Sequence, residues 1–462
     1  MFKEFKSRPR PETEKVVPMR LTPEAMADPV AEQDTVDKEL QAHLELKSRL
    51  HVALLDRLNL AVIDKVEKAE LKRQIGSLLS GLVEAEGVFL RADAFSRLVE
   101  ELIHEVMGLG PLEPLLEDPT INDILVNSFD RVYVERFGKL EKTAVRFRNE
   151  RHLLRIIDKI VSRVGRRIDE SQPWVDARLE DGSRVNAIVR PCAVDGPSLS
   201  IRKFSRSPLS LDRLVERGAL DGRAATFLQN LVEGRMNILI SGGTGSGKTT
   251  MLNAMSSFIN GSHRIVTIED AAELQLQQDH VVRLETRPAN AEGVGTVSQR
   301  DLVRNALRMR PDRIIVGEVR GSECFDMLQA MNTGHDGSMT TVHANSARDA
   351  LGRVEQMVTM LGIDLPLRTI RAQVASAVNI VVQLNRLDDG SRRVTSLSEI
   401  TGMEGDVVTM QDIFVFRRNG RSEDGRVLGD FISTGIRPRC LEQLQAFGCH
   451  IDPSIFKRET VS

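Results

Sequence analysis

The stretch that most constrains this fold is ILISGGTGSGKTT, residues 238–250. An apolar run leads into Gly242. After four further residues come Gly247, Lys248 and Thr249, with a helix expected to follow them. Glycines allow backbone N–H groups to turn inward around phosphate oxygens, and the following helix points its positive end at the same place. The sequence therefore predicts a strand, a phosphate-binding loop and a helix, as found in nucleotide-binding α/β domains.

The side chains of this loop have separate expected roles. Lys248 brings a mobile positive charge to the β- and γ-phosphates of a nucleotide, and the Thr249 hydroxyl completes a Mg²⁺ coordination shell. A chance glycine-rich turn is the alternative, which the strand before the loop and the helix after it disfavour. The predicted metal ligand is Thr249, and the predicted nucleotide-binding residues are Gly242, Gly243, Thr244, Gly245, Ser246, Gly247, Lys248, Thr249 and Thr250.

Composition and charge exclude some other classes of protein. The chain has 462 residues, of which 41% are hydrophobic and 28% charged, so it can bury a large core. Only 4% of the residues are aromatic, and the net charge is -3. We therefore expect no nucleic-acid-binding surface of stacking aromatic residues, and no overall positive charge to attract nucleic acid.

Cysteine spacing and hydropathy bear on where the protein works. The four cysteines form no CxxC pair and no zinc-binding spacing, as is typical of reduced, cytoplasmic proteins. The start of the sequence has no apolar signal segment, and no apolar run approaches the ~18 residues of a membrane span. We expect a cytoplasmic protein without a transmembrane segment, which would serve a membrane machine from its cytoplasmic face.

The first quarter of the chain changes character near residue 30. Residues 1–30 are rich in Pro, Lys, Arg and Glu, which predicts a disordered tail. Beyond them, leucines recur every four residues, at Leu46, Leu50, Leu54 and Leu58. This spacing gives one broad apolar face, and the pattern over 31–108 predicts a small bundle of three amphipathic helices.

The rest of the chain is predicted to form two domains of different type. Short strand candidates around one helix, at about 151–164, predict an α+β domain over 109–205. Residues 206–220 form a predicted linker. From 221 to 462, helices alternate with short apolar strands before a strand-rich end, which predicts an α/β domain with a mainly parallel sheet.

Two predicted strands downstream of the phosphate loop end in acids. IVTIED ends in Glu269 and Asp270, and IIVGEVRG contains Glu318. Ligands of an α/β sheet bind at the carboxyl ends of its strands, so these acids are expected near the γ-phosphate. Either acid alone could be a solvated strand end, but two on one sheet favour catalysis. Glu318 is the expected residue for polarising or positioning the attacking water.

Gly317, directly before Glu318, stands where many ATPases have an aspartate. An aspartate there would bind Mg²⁺, usually through a water, so the glycine removes one outer contact. Because Mg²⁺ keeps most of its waters, Thr249 and ordered waters, helped by Glu269, are the expected replacement.

Two histidines flank a short strand in NTGHDGSMTTVHANS. They are His335 and His343. No third metal ligand lies at zinc-binding spacing, so a γ-phosphate sensor or a hydrogen-bonding strut is the better interpretation. A purely structural histidine remains the alternative for each.

These elements, in this order, resemble the secretion ATPases that power type II secretion, type IV pili and type IV secretion. In that family they are the Walker A loop (242–249), the Asp box (265–273), an atypical Walker B strand with Gly before Glu (313–318) and the His box (333–343). VSRVGRRIDESQPWVDARLEDGSRVNAIVRP and DGPSLSIRKFS are similar to the CpaF branch, the ATPases of tight-adherence (Tad) pili. The four-cysteine zinc element of some type II relatives is absent from the sequence.

The resemblance implies a homohexamer. Each subunit would join a PAS-like α+β N-terminal domain to a RecA-like P-loop ATPase domain, with ATP and Mg²⁺ between the two. It also implies that arginines of the N-terminal domain stabilise charge on the γ-phosphate, with Arg202 matching best. The implied candidates are Arg184, Arg190 and Arg202 in the N-terminal domain, and Arg283 and Arg287 just after the Asp box. An arginine that only pairs with a surface acid is the alternative in each case.

The leading hypothesis is a hexameric ATPase motor that moves an inner-membrane platform protein, so that pilins are added to or removed from a pilus. A type IV secretion ATPase that moves substrates is the alternative. A nucleic-acid translocase is disfavoured by the composition, and a scaffold that binds ATP without turnover is disfavoured by Glu318.

Overall fold

The computed structural model describes residues 43, 45–57, 68–204, 209–287, 289 and 294–458. The chain divides into two compact units, Met1–Pro111 and Leu112–Ser462. The tail predicted over 1–30 lies outside the described residues, as do Leu58 of the leucine repeat and residues 205–208 at the predicted linker.

In its described residues, the first unit consists mainly of helices. Helix α1 covers residues 45–57, α2 is Lys68–Ala85 and α3 is Ala92–Met107. The leucines spaced by four on α1 lie on its buried face and share a core with one face each of α2 and α3. This core includes Leu46, Leu50, Leu54, Ile75, Leu79, Leu98 and Leu102.

The second unit begins with an antiparallel sheet of six strands in the order β3-β2-β1-β6-β5-β4. Its strands are β1 (Ile121–Ser128), β2 (Arg131–Arg136), β3 (Lys139–Lys142), β4 (Trp174–Arg178), β5 (Arg184–Ile188) and β6 (Ser198–Arg202). Helices α4 (Glu113–Glu117) and α5 (Glu150–Arg163) accompany this sheet. Asn149 caps α5 by accepting the His152 N–H, and one apolar face of the helix is buried. This part of the second unit therefore combines an antiparallel sheet with helices.

A nine-stranded sheet follows, in the order β15-β14-β13-β12-β7-β11-β10-β8-β9. Its parallel strands are β7 (Ile238–Gly242), β8 (Ile265–Glu269), β9 (Val281–Glu285), β10 (Arg313–Val319), β11 (Met339–Val342) and β12 (Ile380–Arg386). Antiparallel strands β13 (Arg392–Glu404), β14 (Val407–Arg421) and β15 (Val427–Ser433) extend one side. The short apolar strands predicted after residue 221 are present as these parallel strands.

Helices cover both faces of the parallel part of the sheet. They are α6 (Leu211–Glu216), α7 (Gly222–Glu233), α8 (Lys248–Ser256), α9 (Gln299–Ala306), α10 (Glu323–Asn332), α11 (Ala347–Thr359) and α12 (Leu367–Ala377), and α13 (Leu441–Ala446) comes near the end. Side chains alternate between two cores along β7, since Ile238 and Ile240 join one and Leu239 the other. Burial on both faces explains why these strands are continuous apolar runs in the sequence.

Strand order decides which side chains meet. β11 lies between β7, which leads into the phosphate loop, and β10, which carries Glu318. β12 borders β7 on its other side. This is the strand order of a RecA-like domain, and it brings the carboxyl ends of β7, β8, β10 and β11 to one edge of the sheet.

Candidate functional site

The phosphate loop has a backbone that requires its glycines. Gly245 and Gly247 have φ values of +69° and +97°, which side chains rarely allow. At Gly242, a Cβ atom would stand 2.4 Å from the Ser246 Oγ and 2.5 Å from the Leu384 carbonyl oxygen. Helix α8 starts at Lys248, directly after the loop. The chain therefore forms the glycine-lined cradle with a helix start that phosphate binding requires.

Lys248 lies across the mouth of this loop. Its Nζ donates hydrogen bonds to the carbonyl oxygens of Gly242, at 3.0 Å, and Gly243, at 3.2 Å. The same nitrogen is 3.8 Å from Oε1 of Glu318. Burial lowers the pKa of Lys248, while the negative charge of Glu318 opposes this shift. The predicted lysine and the predicted catalytic acid thus meet at one point.

A cavity of about 660 Å³ opens at this edge of the sheet, within the second unit. The phosphate loop, the ends of β8, β10 and β11, and the six-stranded sheet all contribute to its wall. Its lining includes the predicted residues Thr244, Gly245, Ser246, Gly247, Lys248, Thr249, Thr250, Glu269, Glu318, His343, Arg184 and Arg202. Residues from most of the sequence motifs therefore face a common space.

Glu318 sits at the end of β10 on a backbone held from both sides. The Thr341 hydroxyl donates to the Gly317 carbonyl at 2.8 Å, and Gln299 donates to the Glu318 carbonyl at 3.0 Å. The carboxylate itself accepts hydrogen bonds from Arg320. The position of Glu318 is thus set by contacts from β11, from α9 and from the turn after β10.

The structure gives a steric reason for Gly317. A Cβ atom at this position would lie 2.9 Å from Cγ and 3.6 Å from Cβ of Glu269. An aspartate in the same backbone would collide with the Glu269 side chain. A carboxylate from β8 therefore packs against the position where an aspartate on β10 would begin.

Glu269 is 3% exposed and has an uneven hydrogen-bonding environment. Its Oε2 accepts the backbone N–H groups of Glu273, at 2.7 Å, and Leu274, at 2.9 Å. Its buried Oε1 has no hydrogen-bond partner among the described residues. Burial raises the pKa of Glu269 to about 7, against the effect of the two backbone donors. This carboxyl group can gain or lose a proton near neutral pH.

Two predicted arginines of the six-stranded sheet reach the cavity. Arg184 pairs with Glu273 at 2.8 Å, which joins the six-stranded sheet to the loop after β8. Arg202 pairs with Asp123 on its own sheet at 3.1 Å. Burial alone would lower the pKa of Arg202, but the charge of Asp123 raises it above its ordinary value.

Three other predicted arginines lie outside the cavity lining in the described structure. Arg190 pairs with Glu150 and donates to the Val194 carbonyl oxygen. Arg283 donates to the Ala272 carbonyl oxygen at 3.2 Å, and Arg287 donates to the Gly295 carbonyl oxygen at 2.7 Å.

The two histidines have different surroundings. His343 lines the cavity. The Nδ1 of His335 is 3.3 Å from the Ala330 carbonyl oxygen, at the end of α10, and the cavity lining does not include it. Gly242 and Gly243 support the loop through the Lys248 contacts rather than as lining residues.

Several charged residues at this site were not predicted, among them three arginines and an acid. Arg320, Arg386 and Arg392 line the cavity, and the last two lie 3.6 Å from Glu135 of the six-stranded sheet. Arg386 and Arg392 face each other across the turn between β12 and β13. Arg320 follows Glu318 by two residues, and this proximity was a usable signal. The others come from distant strands, and no local pattern marked them.

The residues present fit a nucleotide with Mg²⁺. The loop backbone depends on glycine, because Gly245 and Gly247 have positive φ and Gly242 has no room for a Cβ atom, and Lys248 and the arginines supply positive charge. Thr249 lines the cavity and would offer its hydroxyl to the ion. One protein oxygen suits Mg²⁺, which fills most of its octahedron with waters and phosphate oxygens.

Hydropathy adds one observation. Among the described residues, no helix has both the length and the apolar character needed to cross a membrane.

Comparisons with known proteins find several that are similar in sequence or in structure. A putative conjugal transfer protein of Mycobacterium tuberculosis is 39% identical over 335 residues, which are 71% of this chain and 94% of that protein. The conjugal transfer protein TrbB of Rhizobium radiobacter is 33% identical over 290 residues, 62% of this chain and 86% of TrbB. The crystal structure of the VirB11 ATPase from the Brucella suis type IV secretion system is 30% identical, covering 63% of this chain and 95% of that one, with a TM-score of 0.35.

A family model provides the assignment. The model described as Type II/IV secretion system protein matches residues 105–425, which include the α+β region and every motif of the cavity. The chain therefore belongs to the type II/IV secretion system ATPase family.

Proposed function

We propose that this chain hydrolyses ATP and uses the energy to move a secretion or pilus machine. One observation carries the proposal: Lys248 on the phosphate loop and Glu318 on β10 meet at 3.8 Å in a cavity that both sheets line. A phosphate loop alone predicts binding. The acid opposite it supplies a group that can act on water, which hydrolysis requires.

The roles of the chain's own residues follow from their positions. The loop N–H groups and Lys248 bind the β- and γ-phosphates, and Glu318 orients a water for in-line attack. Glu269, whose buried Oε1 has no hydrogen-bond partner among the described residues, is suited to receive the proton, because its pKa of about 7 lies near the operating pH. Mg²⁺, when bound beside Thr249, neutralises charge on the phosphate oxygens.

Coupling to movement would come from the six-stranded sheet. Arg184 and Arg202 reach the cavity from this sheet, while the phosphate loop belongs to the other. A contact between these arginines and the γ-phosphate would make the relation of the two sheets depend on the nucleotide. We expect this to operate in a homohexamer, with domains bounded as 31–108, 109–205 and 221–462.

The machine served has two candidates. The first is a Tad pilus, in which the hexamer would bind an inner-membrane platform protein from the cytoplasm and drive pilus assembly or retraction. The second is a type IV secretion system, and the names of the conjugal transfer relatives support it. Deleting the gene distinguishes them, because loss of surface pili with unchanged substrate transfer supports the first and the reverse supports the second.

Steady-state phosphate release by the purified chain tests the proposed enzyme. We expect Mg²⁺-dependent turnover in the wild type and almost none in Glu318→Ala. Equal, negligible rates in both proteins, measured on particles shown to be hexamers by light scattering, would contradict a motor and favour a nucleotide-gated scaffold.

A further inference from the structure

The two oxygens of the Glu318 carboxylate have different partners. Oε2 accepts hydrogen bonds from Nε of Arg320, at 2.8 Å, and from Nη2 of the same guanidinium. Oε1 lies 3.8 Å from Nζ of Lys248. The arginine therefore binds one oxygen of Glu318, while the other oxygen faces Lys248 of the phosphate loop.

The backbone that carries Arg320 is fixed. The carboxylate of Glu323, a residue that is 8% exposed, accepts the N–H groups of Arg320 at 2.6 Å and Gly321 at 2.7 Å. Because the turn after β10 is tied to the start of α10, the guanidinium starts from a constant position. This turn is a built support for the side chain.

Arg320 also contacts a second strand end. Its Nη1 lies 3.7 Å from Asp270, which directly follows β8. Burial alone would lower the pKa of Arg320, but its hydrogen bonds to Glu318 and the charges of Glu318 and Asp270 raise it. One guanidinium thus bridges the acidic ends of two neighbouring strands.

This bridge contributes little to folding. The Arg320 side chain is 59% exposed, and ion pairs at such positions have small effects on stability. An effect of Arg320 on the site must therefore come from where it holds Glu318 and from the charge it places there.

We propose that Arg320 is a positioning residue that keeps one oxygen of Glu318 occupied, so that Glu318 neither repels the bound phosphates nor draws Lys248 away from them. The inference deepens the proposed function and rests on it, because the ligand is a nucleoside triphosphate at the phosphate loop. An unrestrained carboxylate could turn both oxygens towards Lys248. With Arg320 in place, Lys248 remains available to the phosphates and Oε1 remains available to a water.

A double-mutant cycle on nucleotide affinity tests this without turnover. The probe is a fluorescent, non-hydrolysable ATP analogue with Mg²⁺, titrated into the full chain. We expect Arg320→Ala to weaken binding by about tenfold, because the charge of Glu318 is then unbalanced beside the phosphates. In the Glu318→Gln background, the same change should alter affinity by less than about twofold.

The cycle also tests the competing role. If Arg320 bound the phosphates directly, its removal would weaken binding by the same factor in both backgrounds, and that result would overturn the proposal. No loss in either background would overturn it as well. Arg213→Ala is the matched control, since Arg213 forms an exposed pair with Glu216 on α6, and its affinity should equal that of the wild type.

Turnover gives the second readout. We expect Arg320→Ala to lower kcat by about tenfold or more. Arg320→Lys should restore affinity but only part of kcat, because an ammonium cannot reproduce the fixed geometry in which two guanidinium N–H groups donate to one oxygen. Full kcat in Arg320→Ala would contradict the positioning role. If the wild type shows no turnover, the proposed enzyme fails, whereas the affinity cycle still decides whether Arg320 acts through Glu318.

Discussion

Each edge of the nine-stranded sheet buries a charged side chain with an unpaired atom among the described residues, Oε1 of Glu269 at one and Nη2 of Arg313 at the other, but only the carboxyl edge does so beside a cavity. At the carboxyl edge, Glu269 and Glu318 border a cavity, and Glu269 keeps one buried oxygen unpaired. At the amino edge, Arg313 is 1% exposed and is enclosed by packing. Its Nε donates to His263 at 3.2 Å and its Nη1 to the Gly337 carbonyl oxygen at 3.3 Å.

This difference distinguishes a candidate binding site, at the carboxyl edge, from a structural contact, at the amino edge. The charged groups of the carboxyl edge face partners of opposite charge across an open space, as a ligand with both phosphates and a cation requires. At the amino edge, burial together with the charge of Arg235 lowers the pKa of Arg313 to about 10, although the charge of Asp312 opposes this shift. A perturbed pKa therefore marks function only where a cavity accompanies it.

The largest expected effect comes from a substitution at the carboxyl edge. Glu318→Gln should lower kcat by about a thousandfold, because the amide can no longer polarise the water, while nucleotide still binds. Phosphate release and titration with the fluorescent analogue check the two parts. Lys248→Ala should show the complementary result, with binding lost.

The exposed acid Glu216 offers the control for that experiment. Glu216→Gln should keep wild-type turnover, since this residue only pairs with Arg213 on the surface. Normal turnover in Glu318→Gln would show that Glu318 has no role in hydrolysis. The carboxyl edge would then have no shown catalytic role that distinguishes it from the amino edge.

The next largest effect comes from a substitution at the amino edge. Gly337 has φ +83°, and a Cβ atom there would lie 2.5 Å from Nη1 of Arg313 and 3.1 Å from Cα of Arg235. We expect Gly337→Ala to lower the free energy of unfolding by about 3 kcal/mol, measured by urea denaturation. Nucleotide affinity of the folded fraction should be unchanged; a specific loss of affinity at full stability would mean that this edge is functional.

A smaller effect follows from the raised pKa of Glu269. Between pH 4.5 and about 7 the folded chain keeps a proton on Glu269 that the unfolded chain has released. The stability from this group is therefore complete below pH 4.5 and is lost as the pH rises through 7. Relative to Glu269→Gln, the wild type should lose about 2 kcal/mol of unfolding free energy between pH 5 and pH 8.

Urea unfolding of both proteins at the two pH values measures this difference. Parallel pH profiles in the wild type and Glu269→Gln would show that Glu269 is ionised throughout the range, and would argue against its role as a proton acceptor.

The smallest expected effect concerns Gly317. Gly317→Ala should push the Glu269 side chain aside and lower kcat by about tenfold, with little change in nucleotide affinity. Gly76→Ala on α2, where an added Cβ meets nothing within 4 Å, is the control and should keep full turnover. Unchanged kcat in Gly317→Ala would show that the position of Glu269 does not matter for hydrolysis.

Local patterns predicted much of this molecule. Glycine spacing identified the phosphate loop, continuous apolar runs identified the parallel strands, and leucines spaced by four identified the buried face of α1. Each of these signals reflects contacts within a few residues. Arg184 and Arg202 came from the family resemblance, and both line the cavity in the structure. The lining does not include the other arginines implied by the resemblance, which are Arg190, Arg283 and Arg287.

Gly317 shows the difference between what the local sequence predicts and what only the tertiary structure explains. The sequence by itself determined that an acid follows a glycine at the end of a buried strand, because strand and loop propensities are local. Only the tertiary structure decided why the glycine is there: Glu269 on the adjacent strand fills the space that a side chain would need. The contact of Lys248 with Glu318 and the pairing of Arg386 and Arg392 with Glu135 likewise join residues far apart in the chain. Such contacts depend on strand order and packing, which no local pattern specifies.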